Sequence, residues 1–177
     1  MAFINGFNLF VFAILTLLYF YQIIYVIVAL VGEKKKDHFD EEAKTLHRFA
    51  FVIAARNESS VIANLIKSIR RQNYPAELID VIVIADNCTD NTAEIARSNG
   101  AIVLERFNHM LVGKGYALDY AFNRIDSEMG GVEKYDGYFI FDADNIIDRN
   151  YVREMNKVFD KGYRVCLLYT SDAADDK

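Results

Sequence analysis

Two carboxylates one residue apart, Asp142-Ala143-Asp144, stand at the end of the run Tyr138-Phe139-Ile140-Phe141. Four residues suited to a buried strand thus run straight into paired oxygen ligands. Such acids fit a hard divalent cation, Mg²⁺ or Mn²⁺, which binds oxygen and keeps open positions for substrate phosphates. An Asp-x-Asp triplet alone is a common chance pattern, and its place after a strand of this type gives it weight. Further acids fall at comparable places. The apolar run Phe49 to Ala54 leads into Arg56-Asn57-Glu58, and Val81 to Ile84 leads to Asp86-Asn87. Ligands of open α/β sheets bind outside the carboxyl ends of the strands, so Glu58, Asp86, Asp142 and Asp144 are expected along one edge. Unpaired like charges gathered there repel, which predicts a cation or a donor-rich ligand among them. Taken singly, each has a structural reading. Asp86 could serve an Asx-turn, Glu58 could be a first-turn helix acid, and the last two could lie in a solvated loop.

Gly113-Lys114-Gly115 precedes a helical pattern. Lys114 could meet a phosphate there, since glycines allow close backbone approach and a helix N-terminus favours an anion. It is not a Walker loop, because the first glycine and the Ser/Thr after the lysine are missing. No strand-to-helix turn carries Gly-x-Gly-x-x-Gly.

The elements that must position these residues alternate. Apolar runs at Phe49–Ala54, Val81–Ile84, Ala101–Leu104 and Tyr138–Phe141 predict buried strands. Between them, Val61, Ile62, Leu65, Ile66 and Ile69 lie at helical spacing, with Ser59 or Ser60 as cap. Thr92 to Ser98 predict a short helix begun by Thr89 or Asp90 and closed by Gly100. Lys114 to Ile125 predict another, with Ala117, Leu118, Ala121, Phe122 and Ile125 on one face. Gly130-Gly131 mark a loop, and a last helix with Val152, Met155, Val158 and Phe159 is capped by Asp148 and ends at Gly162. Strands alternating with amphipathic helices predict an α/β fold with a mostly parallel sheet and flanking helices.

The chain has 177 residues, 53% of them hydrophobic, and a formal net charge of −5. Its length suggests one globular domain. The apolar residues are unevenly spread. From Leu9 to Val31 no residue is charged, and only Thr16 and Gln22 interrupt the apolar and tyrosine positions. At about 1.5 Å per residue this segment reaches about 35 Å, enough for a bilayer core of about 30 Å. Lys34-Lys35-Lys36 follow at once, which predicts a single-pass anchor with everything after Lys36 on the cytoplasmic side of a cell membrane. A signal peptide would want a basic start and a shorter apolar core. The expected division is therefore an anchor at 1–32, a charged linker at 33–47 and a globular part at 48–165. Residues 166–177 do not read like the rest: Cys166 to Asp176 resemble a translated transposase-type sequencing-library adapter, so native sequence is expected to stop near 165. The two cysteines, Cys88 and Cys166, make no disulfide framework or metal spacing. The three histidines are scattered and read as surface or linker residues.

Four motifs now stand in order: Ala54-Ala55-Arg56-Asn57-Glu58, Ile84-Ala85-Asp86-Asn87-Cys88-Thr89-Asp90-Asn91-Thr92, Gly113-Lys114-Gly115-Tyr116-Ala117-Leu118 and Phe141-Asp142-Ala143-Asp144-Asn145. Over about Phe49 to Val165 the chain resembles family 2 glycosyltransferases with the GT-A fold, especially membrane-anchored bacterial enzymes such as cellulose and poly-N-acetylglucosamine synthases. The resemblance implies inverting transfer of a sugar from a nucleotide-sugar donor, UDP-linked, to a hydroxyl of a polysaccharide, lipid or other acceptor. Partners would be donor, acceptor and membrane, and not nucleic acid. It implies that Asp86 accepts a hydrogen bond from uracil, with Glu58, Arg56 and the backbone near Ala55 in the same pocket. Lys114 would sit by the nucleotide and Asp142 by ribose or diphosphate. Asp144, with Asp142, would bind Mg²⁺ or Mn²⁺ on the diphosphate. The family's general base and its Gln/Arg-x-x-Arg-Trp motif lie further on and are not found here; the chain has no Trp. The catalytic residue is therefore unassigned, and the 177-residue product is expected to bind nucleotide without turnover. A non-catalytic nucleotide-sugar-binding membrane protein and a nucleotidyltransferase-like α/β enzyme are the alternatives. The second usually places a Gly-rich basic loop where this chain has Arg56-Asn57-Glu58.

Overall fold

Side-chain alternation along the strands decides the layering of the globular part. In β1 (Phe49–Ala55), Phe49, Phe51 and Ile53 are buried toward one side, and Ala50 and Val52 toward the other. β2 (Ile79–Asp86) repeats the pattern, with Ile79, Val81 and Val83 on the first side and Ile82 and Ile84 on the second. A strand buried on both faces must be covered on both, as in parallel α/β sheets. β3 (Ile102–Arg106) and β4 (Gly137–Asp142) complete a four-stranded sheet in the order β3-β2-β1-β4, with all pairs parallel. The computed structural model describes residues 2–32 and 42–165. Residues 33–41, with the lysine run on which sidedness rests, and the tail 166–177 lie outside the described residues.

The chain divides into two units, Met1–Asp40 and Glu41–Lys177. In the first, α1 (Ala2–Gly32) is a single helix whose stretch Asn5–Val28 is long and apolar enough to cross a membrane by length and composition. Apolar side chains are exposed on every side of it, the pattern of a helix that needs an apolar surrounding rather than one core-facing stripe. Thr16 satisfies its hydroxyl on the Phe12 carbonyl at 2.8 Å, so its polarity is absorbed within the helix.

In the second unit, α2 (Ile62–Arg70), α3 (Thr92–Ser98) and α5 (Tyr151–Asp160) bring Ile62, Leu65, Ile66, Ile69, Ala96 and Val152 to the phenylalanine-rich face. There Phe51 packs against Phe139 and Phe141 at centroid distances of 4.9 and 5.6 Å. α4 (Lys114–Glu128) covers the other face through Ala117, Ala121 and Ile125. Small residues on both sides of that contact, Ala50 with Ala117 and Ala121, let the helix lie close to the sheet. Gly137 opens β4 under Phe49, where an added Cβ would lie 3.1 Å from the ring.

Three expected caps are corrected. α2 has Val61 at its N-cap and no side-chain cap, because Val61 and Ile62 donate their N–H groups to the Glu58 carbonyl; Ser59 instead gives its N–H to Asp90. For α5 the N-cap position belongs to Asn150, while Asp148 accepts the Asn150 N–H at 2.8 Å in the turn before it. At α3 the N-cap position belongs to Asn91 without a side-chain cap, and Asp90, one residue before it, accepts the Thr92 N–H at 3.0 Å.

The described end of the expected linker is tied down. Lys44 donates its N–H to Asp160, Asn156 bonds both the Thr45 carbonyl and the His47 N–H, and Glu42 pairs with Arg153. His47 is correspondingly half-buried between Asp136 and Asp160 rather than a free surface histidine. At the amino ends of the strands, Asp80 gathers Arg48 at 2.8 Å and the Tyr135 hydroxyl at 2.7 Å. Burial pushes the Asp80 carboxyl up, and those two hydrogen bonds more than offset it, so its pKa lies below the ordinary value.

Candidate functional site

The strand order creates the site. The chain lays β2 and β3 on one side of β1 and then returns to place β4 on the other, so a topological switch lies between β1 and β4. Pairing runs Ala54 to Asp142 across β1 and β4, and Asp86 to Arg106 across β2 and β3. By alternation Asp86, Arg106 and Asp142 all belong to the face that α4 covers, at the carboxyl end of the sheet. Gly113, at a φ of +133° that side chains rarely tolerate, turns the chain into α4. Lys114, the first residue of α4, then reaches Asp142 Oδ1 at 2.5 Å.

The acids are not the unpaired cluster expected from sequence. Asp86 is 5% exposed, and its Oδ1 accepts from Arg106 Nη1 at 2.6 Å and from Asn87 Nδ2 at 3.1 Å. Asp142 carries the Lys114 ammonium. Of the four expected acids, Glu58 and Asp144 have no side-chain hydrogen bond or ion pair among the described residues, and neither has the nearby cation Arg56. Nor do three or more His, Cys, Asp or Glu side chains come together as a metal cluster among the described residues. Arg106 and Lys114 relieve part of the like-charge repulsion from within the protein. The Ala55 carbonyl is likewise engaged, accepting from Cys88 Sγ at 3.4 Å.

The loops after β1 and β2 are stitched together. Asn57 and Asn87 take left-handed φ values of 58° and 52°, a conformation that asparagine tolerates better than most residues. Asn57 Oδ1 accepts the Thr89 N–H at 2.8 Å, Glu58 donates its N–H to Thr92 Oγ1 at 2.8 Å, and Asp90 accepts from Ser59 and Thr92. The Thr92 hydroxyl is the main influence holding the Asp90 carboxyl down at about 2; desolvation opposes it and the Ser59 and backbone bonds add to it. The folded pKa is depressed, so the stabilisation is present above the unfolded value near 4 and lost as pH falls toward 2. The melting-temperature gap between the wild type and Asp90→Asn should therefore be full at about pH 6 and close at about pH 2. A gap constant across that range would show that Asp90 acts by something other than its charge.

Sequence reasoning missed Arg106, because β3 was expected to end at Leu104. The signal was present: Leu104 is buried, and a period of two carries inward to Arg106, an opposite charge beside Asp86. Asn108 was also missed. It receives the Asn87 amide on its carbonyl and donates its own N–H to Asn87 Oδ1 at 2.8 Å.

Among solved structures the fold is similar to the mannosyltransferase PcManGT from Pyrobaculum calidifontis in complex with GDP-Man and Mn²⁺. That likeness has a TM-score of 0.54 and 18% identity, over 76% of this chain and 42% of that one. It is similar also to S. aureus TarS 1-349, at TM-score 0.51 and 19% identity over 64% of this chain and 32% of that one. Among curated proteins, 4,4'-diaponeurosporenoate glycosyltransferase of Staphylococcus aureus (strain USA300) is 44% identical over 68 residues, 36% of this chain. The low-salt glycan biosynthesis hexosyltransferase Agl6 of Haloferax volcanii is 39% identical over 74 residues, 42% of this chain. The match spans 17% of the length of each of these two relatives. The family described as Glycosyl transferase family 2 matches residues 50–177, which include β2 to β4, all of β1 except Phe49, and every residue of the site. With a parallel GT-A-type sheet, acids at its carboxyl edge and that match over most of its length, the chain belongs to glycosyltransferase family 2.

Proposed function

We propose that residues 48–165 form the donor-binding part of an inverting glycosyltransferase that takes a sugar from a UDP-linked donor to a hydroxyl acceptor of a polysaccharide or lipid. The observation that carries this reading is the meeting of Lys114 with Asp142 at the carboxyl edge, with Asp144 exposed two residues on. A cation and two acids there are the groups a diphosphate needs. Asp142 and Asp144 offer exposed oxygen donors too few for a closed all-protein cage, which suits Mg²⁺ or Mn²⁺ bound largely by phosphate and water. The metal would supply charge stabilisation for the departing diphosphate. Lys114 would exchange Asp142 for a donor phosphate, and Asp86 would accept the ring N–H of uracil beside Ala55, Arg56 and Glu58. No described residue is assigned as the general base. The apolar stretch Asn5–Val28 supports a membrane anchor; a linker at 33–47, a cytoplasmic globular part and a non-native tail from 166 complete the reading on the sequence pattern alone.

Titration of the purified chain in detergent with UDP and with GDP, each with and without Mn²⁺, tests this. UDP should bind with Mn²⁺ and at least about tenfold more weakly without it, and Asp144→Ala should remove the metal dependence. Metal-independent binding in the wild type, or equal affinity for GDP, would overturn the assignment of Asp144 or of Asp86 respectively.

A further inference from the structure

We propose that Arg106 is the positioning residue of this site: one guanidinium fixes both Asp86 and the loop that delivers Lys114. Asp86 and Arg106 are register partners on adjacent parallel strands, so their side chains leave the sheet side by side. Arg106 is 7% exposed, and its two terminal nitrogens are spent on different elements. Nη1 donates to Asp86 Oδ1 at 2.6 Å, and Nη2 donates to the Leu111 carbonyl at 2.6 Å. The planar fork of arginine can hold two acceptors in fixed relation, which a lysine point charge cannot.

The loop needs such a tie. Between β3 and α4, Phe107, Met110, Leu111 and Val112 are all exposed, Met110 at 94%, so apolar burial does little to order it. Polar bonds take that place. Asn108 Oδ1 accepts the Met110 and Leu111 N–H groups at 3.0 and 2.9 Å, and Asn87 bonds Asn108 through both its amide groups. Arg106 joins this knot to the strand end, two residues before Gly113 turns the chain to Lys114.

A second consequence concerns what Asp86 can read. Its Oδ1 already accepts two hydrogen bonds, while Oδ2 accepts none among the described residues. A carboxylate oxygen offers about two lone-pair positions, so Arg106 and Asn87 leave one fixed acceptor oxygen. That suits a base with a single ring N–H between carbonyls, as in uracil. The adjacent N1–H and amino group of guanine would call for both oxygens. This part rests on the donor reading proposed above, whereas the tethering of the loop does not.

Arg106→Lys tests both parts, since Nζ cannot reproduce the two-armed tie. Amide hydrogen exchange over residues 107–113 of the nucleotide-free protein should quicken by about tenfold or more, while the core strands keep their protection. UDP affinity with Mn²⁺ should fall about tenfold, and the preference for UDP over GDP should narrow. If Arg106→Lys does not fold, the charge-free pair Asp86→Asn/Arg106→Gln buries no lone charge and is read for loop exchange in the same way. Unchanged exchange at 107–113 overturns the proposal, even with lost affinity, because Arg106 would then be a ligand contact. If wild-type protein binds no UDP but the loop loosens on substitution, the donor reading fails and the positioning role stands.

Discussion

Asp86→Leu should cost about 3–5 kcal/mol of folding stability, because it leaves the Arg106 guanidinium buried without its anion. Both partners lie in the sheet end under α4, with little water to repay the loss. The cost comes from the abandoned charge and not from any large gain in the intact pair. The double variant Asp86→Leu/Arg106→Met should therefore recover most of the stability, since paired apolar replacements of buried ion pairs are often neutral or better. Urea unfolding of the two variants against the wild type measures this. A single variant within about 1 kcal/mol of wild type would mean that water reaches the guanidinium and that the pair behaves as a surface one.

Phe51→Ala should cost a similar amount, about 3–5 kcal/mol, through transfer and cavity contributions together. Phe51 is fully buried in the central strand, and its ring stands against Phe139 and Phe141 of β4. Neighbours of that size collapse poorly into a benzyl-sized void, and β4 is held to the sheet by β1 alone among the described strands. Phe107→Ala is the control: the same atoms are removed from an exposed loop ring, and stability should move by less than about 0.5 kcal/mol. Equal losses at the two positions would contradict the assigned core.

The elements most legible in the sequence were those whose pattern matched their packing. Thr92 to Ser98 coincide with α3, and three of the apolar runs sit inside β1, β2 and β4, while the third in the chain begins one residue before β3 at Ala101. The mostly parallel sheet followed from the same alternation, and its GT-A type from the resemblance of the four motifs. What stayed hidden depended on partners far along the chain. Ser59 and Ser60 look like caps beside α2, but whether a serine caps depends on the turn that Glu58 makes with its own carbonyl. Asp86 looked like an unpaired acid because its counter-ion lies on a different strand, and register between strands is not written in either one alone. Lys114 was recognised as part of the site, yet its pairing with Asp142 needed α4 to begin at the edge of β4.

The placement of β1 at the centre also orders events in time. Phe49 pairs with Ile79 on one side and with Gly137 on the other, roughly three times as far along the chain. Closing the longer loop costs about 1 kcal/mol more in chain entropy, and on a ribosome β4 emerges after the other three strands. Strands β1 to β3 can thus seat Asp86 against Arg106 before Asp142 and Asp144 exist as neighbours. During synthesis, the end of the site proposed to read the base matures first, and the end proposed to grip the phosphates arrives last.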